Sequence, residues 1–390
     1  FLASTPRWQN DKFPEAYLED NLASNYNRAG LSWYTIDPSL MNGSALQDGQ
    51  VDAEIRQDHR MRQILLRELY EKGDYSNSAT AGMPTNLPTL DMTYRPTERG
   101  PYNYEPFEGS DHSSGLEPDG SLKNPDQRWA GIQRALTTTD FEAANIEYIQ
   151  FWVMDPFNED SENESGGKLY INLGNVSEDI LNDSQLEFEN GLPSANNTEL
   201  ETDTSAWGVY PDPTTFNVVN AFDNSTNDST LQDVGLDGLN SENERTFFAS
   251  WLDGLEADLN PDALAQYQND PSADDFRYFR DPVAQQNGED ILERYQFFSR
   301  YEGNSNTQQP YGYPITSTTI PNTEDINEDL TLGTIESYYQ YEIPLTLSDL
   351  APENVGKGYL ADVLETVSKT NGAGEPVSYT HLTLPTSTHG

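Results

Sequence analysis

DQRWAGIQRALTTTDFEAANIEYIQFWVMDPFNEDSENESGGKLYINLGNVSEDI, from Asp126 to Ile180, is the stretch whose patterning decides the fold. Apolar residues at Ile146, at Tyr148 and from Ile149 to Met154, then at Leu169, Ile171 and Leu173, make two strand candidates around an acidic, glycine-containing loop. The pattern predicts a hairpin or a pair of sandwich strands. SYYQYEIPL, from Ser337 to Leu345, has the same character and is expected to pair with them across a long insertion. A β-sandwich closed by non-local strands fits that order. The expected fold class is therefore a β-rich mixed α+β module, sandwich-like, with short helices and long acidic loops.

Outward from this stretch the chain divides by composition. Residues 1–125 read as an extended, loop-rich segment with one amphipathic helix near 52–72, where Ile55, Met61, Leu65 and Leu69 recur at helical spacing before Gly73. Residues 126–193 form the β core, followed by a helix capped at Ser177 and stopped at Gly191. A linker at 194–206 leads to a short-helix insertion at 207–301. Ser241 with Glu244 forms a capping-box pattern there, Asn260 with Pro261 starts a second helix, and a third runs over 290–300. Residues 302–376 hold a polar linker, a calcium-loop-like segment and the returning strand. VSYTHL, from Val377 to Leu382, looks like the translation of a transposon end used to prepare sequencing libraries, so 377–390 are set aside as non-native. No internal repeat stands out.

The 390 residues include 66 acidic and 21 basic side chains, a formal charge of −45, which repels phosphate backbones and anionic lipid. Nucleic acid is therefore disfavoured as a partner, and divalent cations are the natural alternative to a merely solvated surface. Only 35% of residues are hydrophobic, but 22 Tyr, 15 Phe and 6 Trp supply large buriable rings. Without cysteine, a disulfide, an iron–sulfur cluster and a thiol nucleophile are all excluded. No apolar run reaches the eighteen or so residues of a membrane helix. Arg28 to Ile36, with Leu31 and Trp33 on one parity, is the best single transmembrane-strand candidate, and its neighbours are too polar and irregular to continue a barrel.

Two segments have the oxygen spacing of a calcium loop. In DINEDLTLGTIE, Asp325, Asn327, Asp329, Thr331 and Glu336 fall at positions one, three, five, seven and twelve, the alternation that wraps a hard cation in six to eight oxygens. Leu330 stands at position six, where the usual loop needs glycine for its turn. An Asx-rich turn is the alternative reading. In DVGLDGLNSENE, Asp233, Asp237 and Glu244 fit, with Gly238 at the turn, but Gly235 supplies no side-chain oxygen at position three. A capped turn is the alternative there. Calcium at either place has a structural role, ordering clustered carboxylates.

Enzyme readings lack their residues. Outside the excluded tail only His59 and His112 occur, and neither stands in a metal-ligand pair; no nucleophile elbow, phosphate loop or dinucleotide turn is present. Glu159 with Asp160, and Glu162 with Glu164, sit in the predicted hairpin loop where no apolar pocket raises a carboxyl pKa, so a glycosidase pair is not expected. Trp152 with Phe157, Tyr338 with Tyr339 and Tyr341, and Trp33 with Tyr34 read as core packing, with a glycan platform or barrel-rim girdle as the alternative. The chain is expected not to be an enzyme.

RALTTTDFEAANIEYIQFWVMDPF followed by GKLYINLGNVSEDILNDS resembles the SprA (Sov) family of large outer-membrane translocons of type IX secretion. Further blocks follow in the same order: FLASTPRW at 1–8, NYNRAGLSWYTIDP at 25–38, DVGLDGLNSENE at 233–244, DPSADDFRYF at 270–279, and PNTEDINEDLTL with SYYQYEIPL within 321–345. Together they span most of residues 1–376. The resemblance implies an internal fragment of a very large outer-membrane β-barrel protein at the cell surface, with this part an extramembrane module mostly outside the lipid. It also implies export of folded cargo bearing a C-terminal signal, support of gliding motility, and other type IX secretion components and secreted cargo proteins as partners, with no catalytic residue to carry over. The alternative is a calcium-stabilised secreted or surface β-sandwich module that binds glycan or protein.

Overall fold

The structure, a computed structural model, describes residues 2–3, 14–41, 55, 58–61, 63–69, 86–157, 166–192, 201–212, 222, 232, 234–298, 321–370 and 376–385. They form a mixed α and β fold of small antiparallel sheets and short helices, with no closed barrel among the described residues. The chain divides into two units: residues 1–34, 91–135 and 175–337 form the first, and 35–90, 136–174 and 338–390 the second.

In the first unit, strand Ala29–Tyr34 pairs antiparallel with Asp91–Arg99, with a register shift between Ala29 and Gly30. The transmembrane-strand candidate of the sequence is thus a core strand covered on both faces. Trp33 packs with Tyr102, Tyr104, Trp207 and Phe248, while Tyr34 on the opposite parity stacks on Tyr295 at 4.1 Å. Tyr104 is the hub of the core. Its ring stacks on Phe248 at 4.1 Å and meets Trp251 edge-on at 5.3 Å, the offset and T-shaped arrangements that ring quadrupoles favour.

Three short helices, Ser241–Phe247, Ala249–Leu255 and Pro261–Asn269, cover this core. Leu252, Leu255, Leu259, Ala263 and Tyr267 bury one stripe against Leu116 and Leu122. The first helix is capped by Asn240, whose side chain accepts from the Asn243 amide at 3.0 Å, so the Ser241–Glu244 capping box does not form. Glu244 is drawn inward instead. Asn260 caps the 261–269 helix, and Asp290 forms a full capping box with Glu293 ahead of the short Ile291–Arg294 helix.

In the second unit the strand pair around 146–173 is not a hairpin. Tyr148–Met154 pairs antiparallel with Pro376–Pro385, which also pairs with Leu360–Thr370, whereas Gly167–Asn175 pairs with Ser337–Leu345. Alternation fixes which face of a strand is apolar, not which strand lies beside it. Both sheets turn the predicted apolar positions to one cluster, in which Phe151, Val153, Leu169 and Ile171 meet Ile343 and Leu360. The non-local return of 337–345 is as expected, tied by Lys168 to Glu342 at 2.7 Å and by the Tyr170 hydroxyl to Glu342 at 2.8 Å. Part of the stretch set aside, through residue 385, supplies the middle strand of the three-stranded sheet.

Two expected helices are replaced. Within 52–72 the described residues form a turn at His59–Met61, a strand Ile64–Leu65 paired with Asn86–Leu87, and a single helical turn Leu66–Leu69. From Ser177 the chain is irregular up to a short turn at Glu189–Gly191. Its acidic side chains bond nearby amides, the competition by which Asp and Ser leave helices. Thr202–Thr204 pairs with Val209–Pro211, so the described end of the 194–206 linker is ordered strand. The 302–309 linker, the Glu159–Glu164 carboxylates and Asp233 lie outside the described residues. No described helix is long and apolar enough to cross a membrane.

Candidate functional site

The first calcium-loop segment folds as a set of Asx turns. Asp325 is buried, and its two carboxylate oxygens accept the amides of Asp329 at 3.0 Å and Leu330 at 2.9 Å. Asn327 accepts the Asp329 amide at 2.9 Å, and Asp329 accepts the Thr331 amide at 2.9 Å. Glu336 turns away to accept the Ser177 amide at 3.1 Å. The sequence doubted Leu330 at the position where a glycine is usual, and Leu330 indeed sits in the left-handed region at φ 65°. Among the described residues Asp325, Asp329 and Glu336 do not converge as a metal-ligating group.

The second segment does gather carboxylates, though not as a contiguous loop. Glu244, Asp270 and Asp274 each bring an oxygen within 4.8 Å of the others. Asp237 lies alongside, accepting from the Ser272 hydroxyl and from the Leu239 amide at 2.9 Å, while Glu244 accepts the Ser272 amide at 2.9 Å. The Tyr104 hydroxyl meets the Ser272 hydroxyl at 2.9 Å, so the aromatic core forms the floor. Gly238 has φ 66°, and a Cβ there would come 2.0 Å from the Val209 carbonyl oxygen, which only glycine avoids.

This nest is electrostatically unbalanced. Burial, with Asp270 and Asp275 adding repulsion, pushes Glu244 up to about 7. Asp237 and Asp274 rise well above the usual carboxylate range by burial, Asp237 also facing Glu244 and Asp274 also facing Asp237. The guanidinium of Arg99 opposes the rise at Asp270 and donates to the Asp270 backbone carbonyl at 2.6 Å. Such a group has two chemical outlets, protons or a hard cation that accepts carboxylate oxygens. Asp237 and Glu244 were legible from spacing. Asp270 and Asp274 were not, since they lie in DPSADDFRYF, a block with no ligand periodicity.

His59 is buried beside Asp58, with Nδ1 3.5 Å from its carboxylate. The backbone carbonyl of His112 accepts from Asn27 at 2.8 Å. Trp33 and Tyr34 are 3% and 2% exposed, which removes them as a glycan platform, whereas Tyr339 is 70% exposed. Trp152 stacks on His381 at 4.7 Å, and Phe157 is buried.

Comparison with known proteins gives one family and no curated match. Residues 250–389 match the SprA_N family, described as a motility related/secretion protein. That region includes the Asp270 and Asp274 carboxylates, the 321–336 loop and the 337–345 strand. By this match residues 250–389 are similar to the SprA_N family of motility-related and secretion proteins.

Proposed function

We propose that this chain is an architectural, extramembrane part of an outer-membrane translocon of type IX secretion, passing folded cargo and supporting gliding motility. The observation that carries the reading is the SprA_N match over 250–389, which overlaps the C-terminal part of the longer series of resembling blocks. The small two- and three-stranded sheets suit a module whose free edges are covered by the rest of a larger assembly. A sandwich arrangement of the two sheets of the second unit that share one apolar cluster is part of the same proposal. The function is transport without bond-making chemistry. Affinity purification of the tagged protein from its native outer membrane tests this: other type IX components and cargo bearing the C-terminal signal are expected to co-purify, and recovery with neither contradicts the proposal.

The second reading is a calcium-stabilised surface module, favoured by the convergence of Glu244, Asp270 and Asp274 beside Asp237. On this reading calcium neutralises the nest and orders the loops around it. Calcium at about a hundred times its Kd raises native stability by about 2.7 kcal/mol through linkage. An equal melting temperature in calcium and in chelator, at fixed ionic strength, removes the metal.

A further inference from the structure

Two segments far apart in the sequence have the same internal bonding. In SEDILNDSQLE (177–187) and TEDINEDLTLG (323–333), a hydroxyl residue, Glu, Asp and Ile are followed by Asp and Leu at the same offsets. Ser177 Oγ accepts the Asp179 amide at 3.2 Å, as Thr323 Oγ1 accepts the Asp325 amide at 3.0 Å. Asp179 accepts the amides of Asp183 and Ser184 at 3.0 and 3.1 Å, as Asp325 accepts those of Asp329 and Leu330 at 3.0 and 2.9 Å. The left-handed residues also match. Asn182 and Ser184 at φ 61° and 63° correspond to Glu328 and Leu330 at φ 63° and 65°.

The glutamates are exchanged between the segments. Glu324 accepts the amides of Ile180 at 2.6 Å, Leu181 at 3.0 Å and Glu187 at 3.2 Å. Glu178 accepts the equivalent amides of Ile326 at 3.2 Å, Asn327 at 3.1 Å and Gly333 at 2.9 Å. The Glu178 amide donates to the Gly333 carbonyl at 2.7 Å, and the Glu324 amide to the Glu187 carbonyl at 3.0 Å. Every bond that crosses between these segments has a counterpart related by a local two-fold.

We propose that residues 177–187 and 323–333 are two copies of one loop module, and that their exchanged glutamates form a reciprocal latch closing the chain between them. Neither loop is complete alone. In 177–187 three amides are held by Glu324, and in 323–333 Glu178 holds the Asn327 and Gly333 amides and shares the Ile326 amide with the Glu324 backbone carbonyl at 3.0 Å; buried amides left without acceptors are costly. The latch therefore closes and opens as one element, carrying with it the ends of the intervening segment that contains the Glu244 nest. Arg28, buried and donating to the Ile180 carbonyl at 3.2 Å, supplies a positive charge beside Glu324.

Hydrogen exchange of the full chain, read at single amides, tests the latch. In the unmodified chain the Ile180, Leu181 and Glu187 amides and the Ile326, Asn327 and Gly333 amides are expected to share one opening, with protection within about tenfold of each other. A larger difference between the two sets overturns the proposal. Glu324→Gln places an amide N–H donor against backbone N–H groups and is expected to speed exchange at Ile180, Leu181 and Glu187 by about tenfold or more. It should also speed the opposite set, which its side chain never touches, and Glu178→Gln should do the mirror image. Acceleration confined to the set each glutamate holds, or equal acceleration at Leu252 and Leu255 in the 249–255 helix, overturns it.

Discussion

Replacing Glu244 by glutamine should stabilise the protein above neutral pH and do nothing for it in acid. Glu244 is 1% exposed, and its carboxyl is pushed up to about 7 by burial and by Asp270, against 4.5 for the free side chain. A raised carboxyl pKa means that the folded state binds the proton more tightly than the unfolded state. Stability is then fullest below about pH 4.5, falls as pH rises through the folded value, and levels off above it. A gap of roughly 2.5 pH units corresponds to about 3 kcal/mol of lost stability at alkaline pH, an order-of-magnitude figure because Asp237, Asp270 and Asp274 titrate with it. Glutamine keeps an oxygen for the Ser272 amide and has no charge to desolvate. In urea denaturation, Glu244→Gln should gain up to about 3 kcal/mol near pH 8 and close to nothing near pH 4.5. Equal destabilisation at both pH values refutes this reasoning, because it would mean that ionised Glu244 is a favourable acceptor.

Four other outcomes follow from particular contacts. Calcium should narrow the gap between the parent chain and Glu244→Gln near pH 8, while Asp325→Asn should leave any calcium-induced rise in melting temperature unchanged, because Asp325 is taken up by its own loop amides. Phe248→Ala removes the ring stacked on Tyr104 and should cost about 3–5 kcal/mol in equilibrium unfolding. Arg128→Met leaves the buried Glu105 carboxylate, now 2.6 Å from the guanidinium, without its counter-ion and should cost about 3–5 kcal/mol; adding Glu105→Gln should recover part of that loss. Asn260→Ala removes the acceptor of the Ala263 amide and should cost about 1 kcal/mol, measured by thermal melting.

What the sequence revealed depended on whether a pattern was local. The alternation at 148–154 and 169–173 located real strands and their apolar faces, and the 337–345 return was legible because its character matched theirs. Partner choice was not legible, since the same alternation suits a hairpin or two sheets that share a cluster. Over 59–69 the expected helix is interrupted because Ile64 and Leu65 bond a distant strand, Asn86–Leu87, which outweighs helical spacing. Position counting placed Asp237 and Glu244 in one contiguous loop, whereas the carboxylates that converge with Glu244 in the fold, Asp270 and Asp274, come from another segment. The same counting left a calcium loop and an Asx-rich turn open at 325–336, and there the oxygens of Asp325, Asn327 and Asp329 accept loop amides, as an Asx-rich turn requires. The likeness of the loops at 177 and 323 was not legible as a repeat because it rests on hydrogen-bonding roles and on only five shared residues, Glu, Asp and Ile, then Asp and Leu.

An architectural role in protein export is tested by removing residues 126–180 in frame from the intact native gene and measuring release of a folded reporter bearing the C-terminal secretion signal. The reporter should accumulate inside the cell while the truncated protein is still made and still reaches the envelope. Normal release of the reporter by that strain would contradict it.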